Sequence, residues 1–400
     1  MAVQSNVSGT AITKTGPLFG AYLVFGIFWG VWVVVFADFL VARGLTEGQV
    51  GLRLAALSVT AIVTMTLVAP RLQGIPLAAT ITAGLLIFGV GALLVGANSD
   101  AGVVLGFTAI GIGNGLIDVF VNVGGQRVEA RRRRPVLQYL HASYNVGGII
   151  GALGAGAAHA AGWGYRTPLA ISASLFVVAA AWSATSRSLR EFPEPDAARS
   201  KISLSVFARS PVLIVPAVVV LSAFTVEGSM DIWSVIYLRR TLEASAVAGG
   251  VAFAAFSLAM AFGRVTAARL LFGLGYRTTL RVAGLGSVAA GLVAALATST
   301  VVAAIAFLFL GFFIASAAPA AFGLVTASDA DPVLAIAGMT TVGYAGFVVG
   351  PPLMGWLAET IGLRATMVAL VTMGLGVALG GVLAPRDAPP TPVRATEGDG

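Results

Sequence analysis

The chain has 400 residues, of which 58% are hydrophobic and only 10% are charged, and its mean hydropathy is +0.93. A soluble globular domain carries about 25% charged residues, so this composition excludes that class and indicates a polytopic membrane protein. Cysteine is absent, which excludes disulfides and thiolate chemistry, and only His141 and His159 can supply imidazole ligands, so we expect no metal site.

Twelve apolar segments follow one another along the chain, each close to the roughly 20 residues that a membrane-spanning helix needs. The first is too long for the core of a signal peptide, so we expect it to stay in the mature protein. The helices are predicted at residues 17–42, 47–70, 76–97, 103–128, 135–160, 165–185, 211–238, 245–269, 278–297, 301–325, 332–357 and 362–384.

One long polar interruption divides these segments into six and six. It covers residues 186–210, whereas residues 385–400 form a Pro-rich charged tail that we predict to be disordered. The expected organisation is an N-terminal bundle at 1–185, a cytoplasmic linker at 186–210, a C-terminal bundle at 211–384 and a cytoplasmic tail at 385–400.

The basic residues indicate the orientation. With the N-terminus inside, eighteen Lys and Arg residues lie on the cytoplasmic side and six on the outer side. The cytoplasmic set includes the run Arg131–Arg134 and also Arg264, assigned to the inner end of helix 8. The positive-inside rule therefore predicts a multi-pass protein of the bacterial cytoplasmic membrane with both termini inside. The net charge of +7 needs no nucleic-acid partner on this reading.

The two halves of the chain share short similarities. Residues 55–58 (AALS) correspond to 254–257 (AAFS), and residues 135–137 (PVL) recur at 332–334. Each match is short, but together with the central interruption they favour an internal duplication. We therefore predict an all-α membrane protein with twelve helices in two pseudo-symmetric six-helix halves.

Longer motifs carry a resemblance to a known family. The stretches VEGSMDIWSVIYLRR, AFSLAMAFGRVTAARLLFGLGYR and TTVGYAGFVVGPPLMGWLAETIGLR resemble the second half of major facilitator superfamily proteins of the fucose-permease-like branch. DVFVNVGGQRVEARRRRPVLQYLHASYNVGGIIGA is similar to the helix 4 to helix 5 region of that branch. The resemblance implies a transporter that alternates access to a cavity between its halves.

Two acids in helix 7 need an explanation, because a carboxylate at the bilayer centre costs at least about 2.5–3.5 kcal/mol. At 1.5 Å per residue, Glu227 lies about 3 Å and Asp231 about 9 Å from the predicted midplane. No Lys or Arg is near in sequence, so protonation is the expected neutraliser of Glu227. Asp231 has two open interpretations. It shares a role with Glu227, or it is an ordinary outer residue that pairs with Arg239 or Arg240 or points into the outer water.

Helices 4 and 5 carry a second polar set at helical spacing. Two interpretations stay open for it, a hydrogen-bonded clamp between the helices or a polar vestibule that opens to the cytoplasm. The helix 4 residues are Asn114, Asp118, Asn122, Gln126 and Glu129, and the helix 5 residues are Gln138, His141 and Asn145.

Several other polar residues are predicted near the outer helix ends. Trp233 and Tyr237 are expected in an outer aromatic belt. Asp38, His159 and Glu359 are expected to be solvated there.

These patterns predict a secondary active transporter for a small polar solute, coupled to protons, and the family resemblance implies a sugar-like solute. Glu227, Asp118 and Asp231 are the expected proton-coupling or solute-binding acids, and the remaining cavity residues are predicted to be Asn114, Asn122, His141, Asn145, Trp29, Trp32 and Tyr344. The alternative is a drug:proton antiporter for apolar or amphipathic compounds, which the Phe-rich second half favours. A membrane enzyme is disfavoured because no catalytic cluster or phosphate loop is present. We expect a monomer in the lipid bilayer without cofactor.

Overall fold

The computed structural model describes residues 7–72, 74–97, 99–132, 136–186, 189, 205–327 and 332–384, and nearly all of them are helical. The first six helices are α1 (Val7–Arg43), α2 (Glu47–Val63), α3 (Leu77–Val95), α4 (Asp100–Arg132), α5 (Leu137–Ala160) and α6 (Arg166–Thr185). A π-turn at Thr64–Val68 and a 3-10 turn at Ala69–Leu72 extend α2. Most of the predicted linker 186–210 and all of the tail 385–400 lie outside the described residues.

The second half begins with a short helix, Ser205–Arg209, and a 3-10 turn, Pro211–Leu213. The helix α7 (Ile214–Thr241) follows, and then a continuous stretch, Ala246–Leu296, in which Gly275 has a φ of 74°. This kinked stretch contains two spans, α8 (Ala246–Ala267) and α9 (Gly273–Leu296), and the positive φ lies near the start of α9. The last helices are α10 (Thr300–Ile314, continued by Ala317–Gly323), α11 (Pro332–Ile361) and α12 (Leu363–Leu383).

The predicted helix count agrees with this architecture. Eleven spans in the described part of the chain are long and apolar enough to cross a membrane. The remaining helix, α5, has 24 residues, which is long enough, but its polar residues lower its hydropathy. The all-α fold of two six-helix halves is therefore confirmed.

The helices join at two opposite ends, which we name by their residues. The end that we call the closed face carries the connections around residues 43–47, 96–100, 161–166, 241–246, 296–300 and 361–363, and the opposite end, which we call the open face, carries the connection at 267–273 and the helix ends at 72 and 77, 132 and 137, 185 and 205, 323 and 332, and 383. The two halves meet along α2 with α11, α5 with α8, and α1 with α7.

Ion pairs join the halves at the closed face. Arg239 of α7 donates to Asp38 of α1 through both terminal nitrogens, at 2.6 and 2.9 Å, and His159 Nδ1 lies 3.1 Å from the same carboxylate. Arg240 Nη1 lies 2.6 Å from Glu47 Oε1. The expectation that Asp38 and His159 are simply solvated is therefore wrong, because packing of α7 on α1 brings the Arg239 cation to Asp38, and the same carboxylate contacts His159.

Glu359 of α11 provides a further contact at this face. Its carboxylate accepts hydrogen bonds from the Thr46 hydroxyl, at 2.7 Å, and from the Gly48 N–H. It therefore sits at the N-terminus of α2 in the other half, where unpaired N–H groups favour an anion. The predicted solvated role of Glu359 is also corrected.

Prolines in α11 create another contact between the halves. Pro352 has no N–H to donate to the carbonyl of Val348 one turn earlier, and the hydroxyl of Ser58 in α2 donates to that oxygen instead. The carbonyl of Pro351 accepts a hydrogen bond of 2.9 Å from the Trp233 indole. The Val348 carbonyl oxygen, which Pro352 leaves without its helical partner, thus forms part of the interface between the halves.

The predicted outer aromatic belt is not found at α7. Trp233 and Tyr237 are both fully buried, and the Tyr237 hydroxyl donates to the Ala294 carbonyl at 2.7 Å. The Tyr237 ring packs against Phe307 inside the second half, whereas the Trp233 ring packs against Phe36 of the first half. An aromatic residue near a helix end faces lipid only when the packing leaves that side of the helix uncovered.

Glycines allow α1 and α5 to approach closely. A Cβ on Gly26 or Gly30 of α1 would collide with backbone atoms of α5, and a Cβ on Gly147 or Gly151 would collide with the backbone of α1. The spacing of four places each pair on one face of its helix. By contrast, Gly154 of α5 faces open space.

This contrast yields a stability test on one helix. We expect Gly151→Ala to destabilise the protein by about 1–3 kcal/mol, because its methyl group overlaps the Ile27 carbonyl. Gly154→Ala is the matched control and should leave stability unchanged or slightly higher. The midpoint of thermal unfolding of the purified protein measures both, and equal midpoints for the two variants contradict the α1–α5 packing.

Candidate functional site

A cavity of about 150 Å³ lies between the two halves. This volume is below the range of about 300–1,000 Å³ that is typical of sites for drug-sized ligands, so the cavity fits a small solute. The first half lines it with residues of α1, α2, α4 and α5, and the second half with residues of α7, α8 and α11. The polar and charged side chains in its wall are Tyr22, Asn114, Asp118, His141, Tyr144, Asn145, Glu227, Asp231, Arg264 and Tyr344.

Asp118 of α4 is the centre of a hydrogen-bond network. The Tyr22 hydroxyl donates to its Oδ1 at 2.8 Å, and the Asn122 amide lies 3.1 Å from the same oxygen and 2.7 Å from the Tyr22 hydroxyl. Tyr344 of α11 also forms a side-chain hydrogen bond with this carboxyl. Asp118 thus accepts hydrogen bonds from both halves of the protein.

The α4–α5 polar set lies partly in the cavity wall. Asn122 hydrogen-bonds Tyr22 of α1 rather than a residue of α5, which differs from the α4–α5 clamp, whereas Asn114, Asp118, His141 and Asn145 line the cavity. The His141 ring packs against the Tyr22 ring, with centroids 5.3 Å apart.

Glu129 lies at the end of the same polar face. It accepts hydrogen bonds from the N–H groups of Val136 and Leu137 and so caps α5.

Glu227 has a cation beside it. Arg264 Nη2 of α8 lies 2.6 Å from Glu227 Oε1, and the two side chains keep 37% and 21% exposure respectively. The expectation that no cation is near Glu227 is therefore wrong. The two residues are far apart in sequence, but α7 and α8 form an antiparallel hairpin that places them side by side. Arg264, assigned from the sequence to the inner surface, lines the cavity.

Asp231 lies one turn from Glu227 and has no such partner. Arg239 and Arg240, its candidate partners, bind Asp38 and Glu47 instead. Among the described residues, Asp231 interacts electrostatically with Glu227 and Arg264 but forms no hydrogen bond. It lines the main cavity and two smaller adjoining ones, and Trp29 and Tyr144 are the other residues common to all three.

The predicted site residues divide into two groups. The structure brings eight of them to the main cavity, namely Trp29, Asn114, Asp118, His141, Asn145, Glu227, Asp231 and Tyr344. Asn122 does not line the main cavity but hydrogen-bonds Asp118, which does. Trp32 is a correction, because its ring is buried among Phe28, Phe36 and Phe107 and does not line the cavity.

Sequence reasoning missed several cavity residues. Tyr22, Phe25, Tyr144, Phe224 and Phe347 are aromatic residues in apolar helices, where no local pattern separates a cavity wall from a core. Arg264 had a signal, because it is a charge inside an apolar segment. The described residues contain no group of three or more His, Asp or Glu side chains able to hold a metal ion.

Comparison with known proteins identifies the family. The sequence model of the Major Facilitator Superfamily matches residues 18–332. This chain belongs to the Major Facilitator Superfamily. The superfamily consists of transporters, so the protein is not an enzyme, and the resemblance noted in the sequence is confirmed.

Two relatives illustrate the similarity in sequence. An uncharacterized transporter of this superfamily from Yersinia pestis is 28% identical over 381 residues, which are 94% of this chain and 96% of the relative. The membrane protein MosC of Rhizobium meliloti is 27% identical over 280 residues, covering 68% of this chain and 65% of MosC.

Solved structures of the superfamily share the fold at lower sequence identity. A bacterial homologue of the human lysosomal transporter Spinster, solved in an inward-facing and unoccupied conformation, has a TM-score of 0.78 at 16% identity, covering 94% and 96% of the two chains. A nucleoside transporter has a TM-score of 0.77 at 11% identity, covering 92% and 99%. The Escherichia coli fucose:proton symporter has a TM-score of 0.57 at 15% identity, covering 94% and 99%.

The Glu227–Arg264 pair generates a prediction about stability. We expect Arg264→Gln and Glu227→Gln each to destabilise this facilitator by about 1–3 kcal/mol, less than the 3–5 kcal/mol of a fully buried pair because both groups keep some exposure. The double variant should be more stable than the sum of the single effects implies, since neither charge is left alone. Thermal unfolding of all four proteins measures this coupling, and strictly additive effects would show that the two side chains do not interact.

Proposed function

We propose that the protein is a proton-coupled secondary transporter that moves a small polar solute across the bacterial cytoplasmic membrane by alternating access. The observation that carries this proposal is the cavity between the halves, where three carboxyl groups lie in apolar helices. An acid in such a place is a functional candidate by default, because burying it has a high cost.

The three acids have different proposed roles. Asp118 binds solute hydroxyl or amino groups, since it already accepts hydrogen bonds from Tyr22 and Tyr344 on opposite walls. Glu227 alternates between its ion pair with Arg264 and a protonated form. Asp231 forms no hydrogen bond among the described residues, and its proposed role is to take up a proton or a solute group from the cavity and to release it there.

The closed face is proposed to be the periplasmic side, so that the cavity opens towards the cytoplasm. The excess of basic residues at the other face supports this orientation. The ion pairs of Arg239 and Arg240 with acids of the first half would then form the outer gate. These pairs must separate when the cavity opens outwards.

The alternative is a drug:proton antiporter for apolar or amphipathic compounds. It is favoured by the aromatic share of the cavity wall, which includes Phe25, Trp29, Phe224 and Phe347. A polar solute is favoured by the amide, phenol and carboxyl groups that line the same wall. The two functions differ in the direction in which protons move with the solute.

Proton movement in proteoliposomes tests the proposal. Vesicles that contain a pH-sensitive dye receive members of four solute classes: sugars, polyols, nucleosides and amphipathic drugs. We expect a polar solute to carry protons inwards with it and to acidify the lumen, and Asp118→Asn to reduce this flux at least about tenfold, the effect of losing about 1.4 kcal/mol of binding. Outward proton movement driven by a drug favours the antiporter, and no proton movement with any class contradicts proton coupling.

The control must separate transport from folding. Asp100 is a carboxylate at the closed face whose side chain is 75% exposed, so Asp100→Asn makes the same chemical change outside the cavity. It should leave the flux per folded molecule unchanged. A loss of folded protein in Asp118→Asn, with normal flux in the remainder, would make Asp118 a structural residue.

A further inference from the structure

The cavity has a surplus of negative charge. Its wall contains three carboxyl groups, from Asp118, Glu227 and Asp231, against one guanidinium, Arg264, and one imidazole, His141. Arg264 pairs with Glu227 at 2.6 Å. Even a protonated His141 leaves one negative charge without a counter-charge when all three acids are ionised. An uncompensated charge in so apolar a place must attract a proton or a cation.

Asp231 is the acid that carries this uncompensated negative charge. Asp118 already has hydrogen bonds from Tyr22, Asn122 and Tyr344, which stabilise a carboxylate without any added cation. Asp231 has no hydrogen bond among the described residues. It is therefore the carboxyl group whose interactions a bound molecule would complete.

The surroundings of Asp231 are aromatic rather than rich in oxygen ligands. Trp29 and Tyr144 line all three adjoining cavities together with Asp231, and Phe256 lines one and Phe347 two of them. Inorganic cations such as Ca²⁺ need six to eight oxygen ligands, which this wall does not offer in the described part of the chain. An organic ammonium instead gains from a carboxylate and from the faces of aromatic rings.

We propose that the transported solute carries an ammonium group, which binds Asp231 between the rings of Trp29 and Tyr144. This inference rests on the proposed transport function and specifies the class of its solute. The rest of such a molecule would extend towards Asn114, Asn145 and Asp118, which supply hydrogen-bond partners for hydroxyl groups.

Matched pairs of probes test this inference on the full-length protein. Glucosamine is compared with glucose, and phenethylamine with phenethyl alcohol, at equal concentrations and neutral pH, with potassium chloride as the inorganic cation. The thermal midpoint of the purified protein rises when a ligand binds the folded state. We expect at least one amine to raise the midpoint, while its neutral partner and potassium do not.

Variants connect the effect to the site. Asp231→Asn should weaken amine binding by about thirtyfold or more, the change that corresponds to about 2 kcal/mol for the loss of a close charge partner. Asp100→Asn should not change it. Since Asp231→Asn could affect folding, Trp29→Leu and Trp29→Phe form a second test, in which only the variant that keeps an aromatic ring should retain binding.

The outcomes separate this inference from the proposed function. If amines and their neutral partners stabilise the protein equally, or no amine stabilises it, the ammonium inference is overturned. A transporter that moves protons with neutral solutes then still stands. If amines bind through Asp231 but no solute moves protons in vesicles, the proton coupling fails and the ammonium site stands.

Discussion

A charged side chain among apolar helices must be neutralised by a counter-charge, by hydrogen bonds or by a proton, because its transfer from water is costly. The three acids of the cavity meet this requirement in three ways. Glu227 has Arg264 at 2.6 Å, and Asp118 has donors from both halves. Asp231 forms no hydrogen bond among the described residues and shares the Arg264 cation with Glu227, so it is the least compensated of the three acids.

The contacts around the cavity combine tight packing within one half with exchangeable contacts between the halves. Glycines bring α1 and α5 into backbone contact and so pack these two helices of the first half tightly together. The halves are joined at the closed face by ion pairs such as Asp38–Arg239, whose groups are partly exposed. Asp38 and Arg239 keep 26% and 13% side-chain exposure, so breaking this pair is expected to cost about as much as breaking the Glu227–Arg264 pair, about 1–3 kcal/mol.

Much of this arrangement could be predicted from the sequence, because helix length, hydropathy and polar periodicity are local properties. They located the helices and placed Asp118 and His141 on a cavity wall. The contacts that neutralise the buried charges join residues that are far apart in the sequence. Arg264 meets Glu227 across a hairpin, and only packing shows that Trp32, one turn from Trp29, faces an aromatic core. Sequence spacing cannot choose between neighbours that belong to different helices.

Alternating access by movement of the two halves is tested most directly by distances between spin labels at the closed and open faces. The chain has no cysteine, so label pairs can be introduced alone at the exposed residues Ala161 and Glu243 of the closed face and at Ile75 and Ala208 of the open face. Proton-coupled alternating access predicts that a change of pH shifts the population of the two conformations, so that one distance lengthens while the other shortens. If both distances stay fixed at every pH, or lengthen together, the two halves do not alternate access to this cavity.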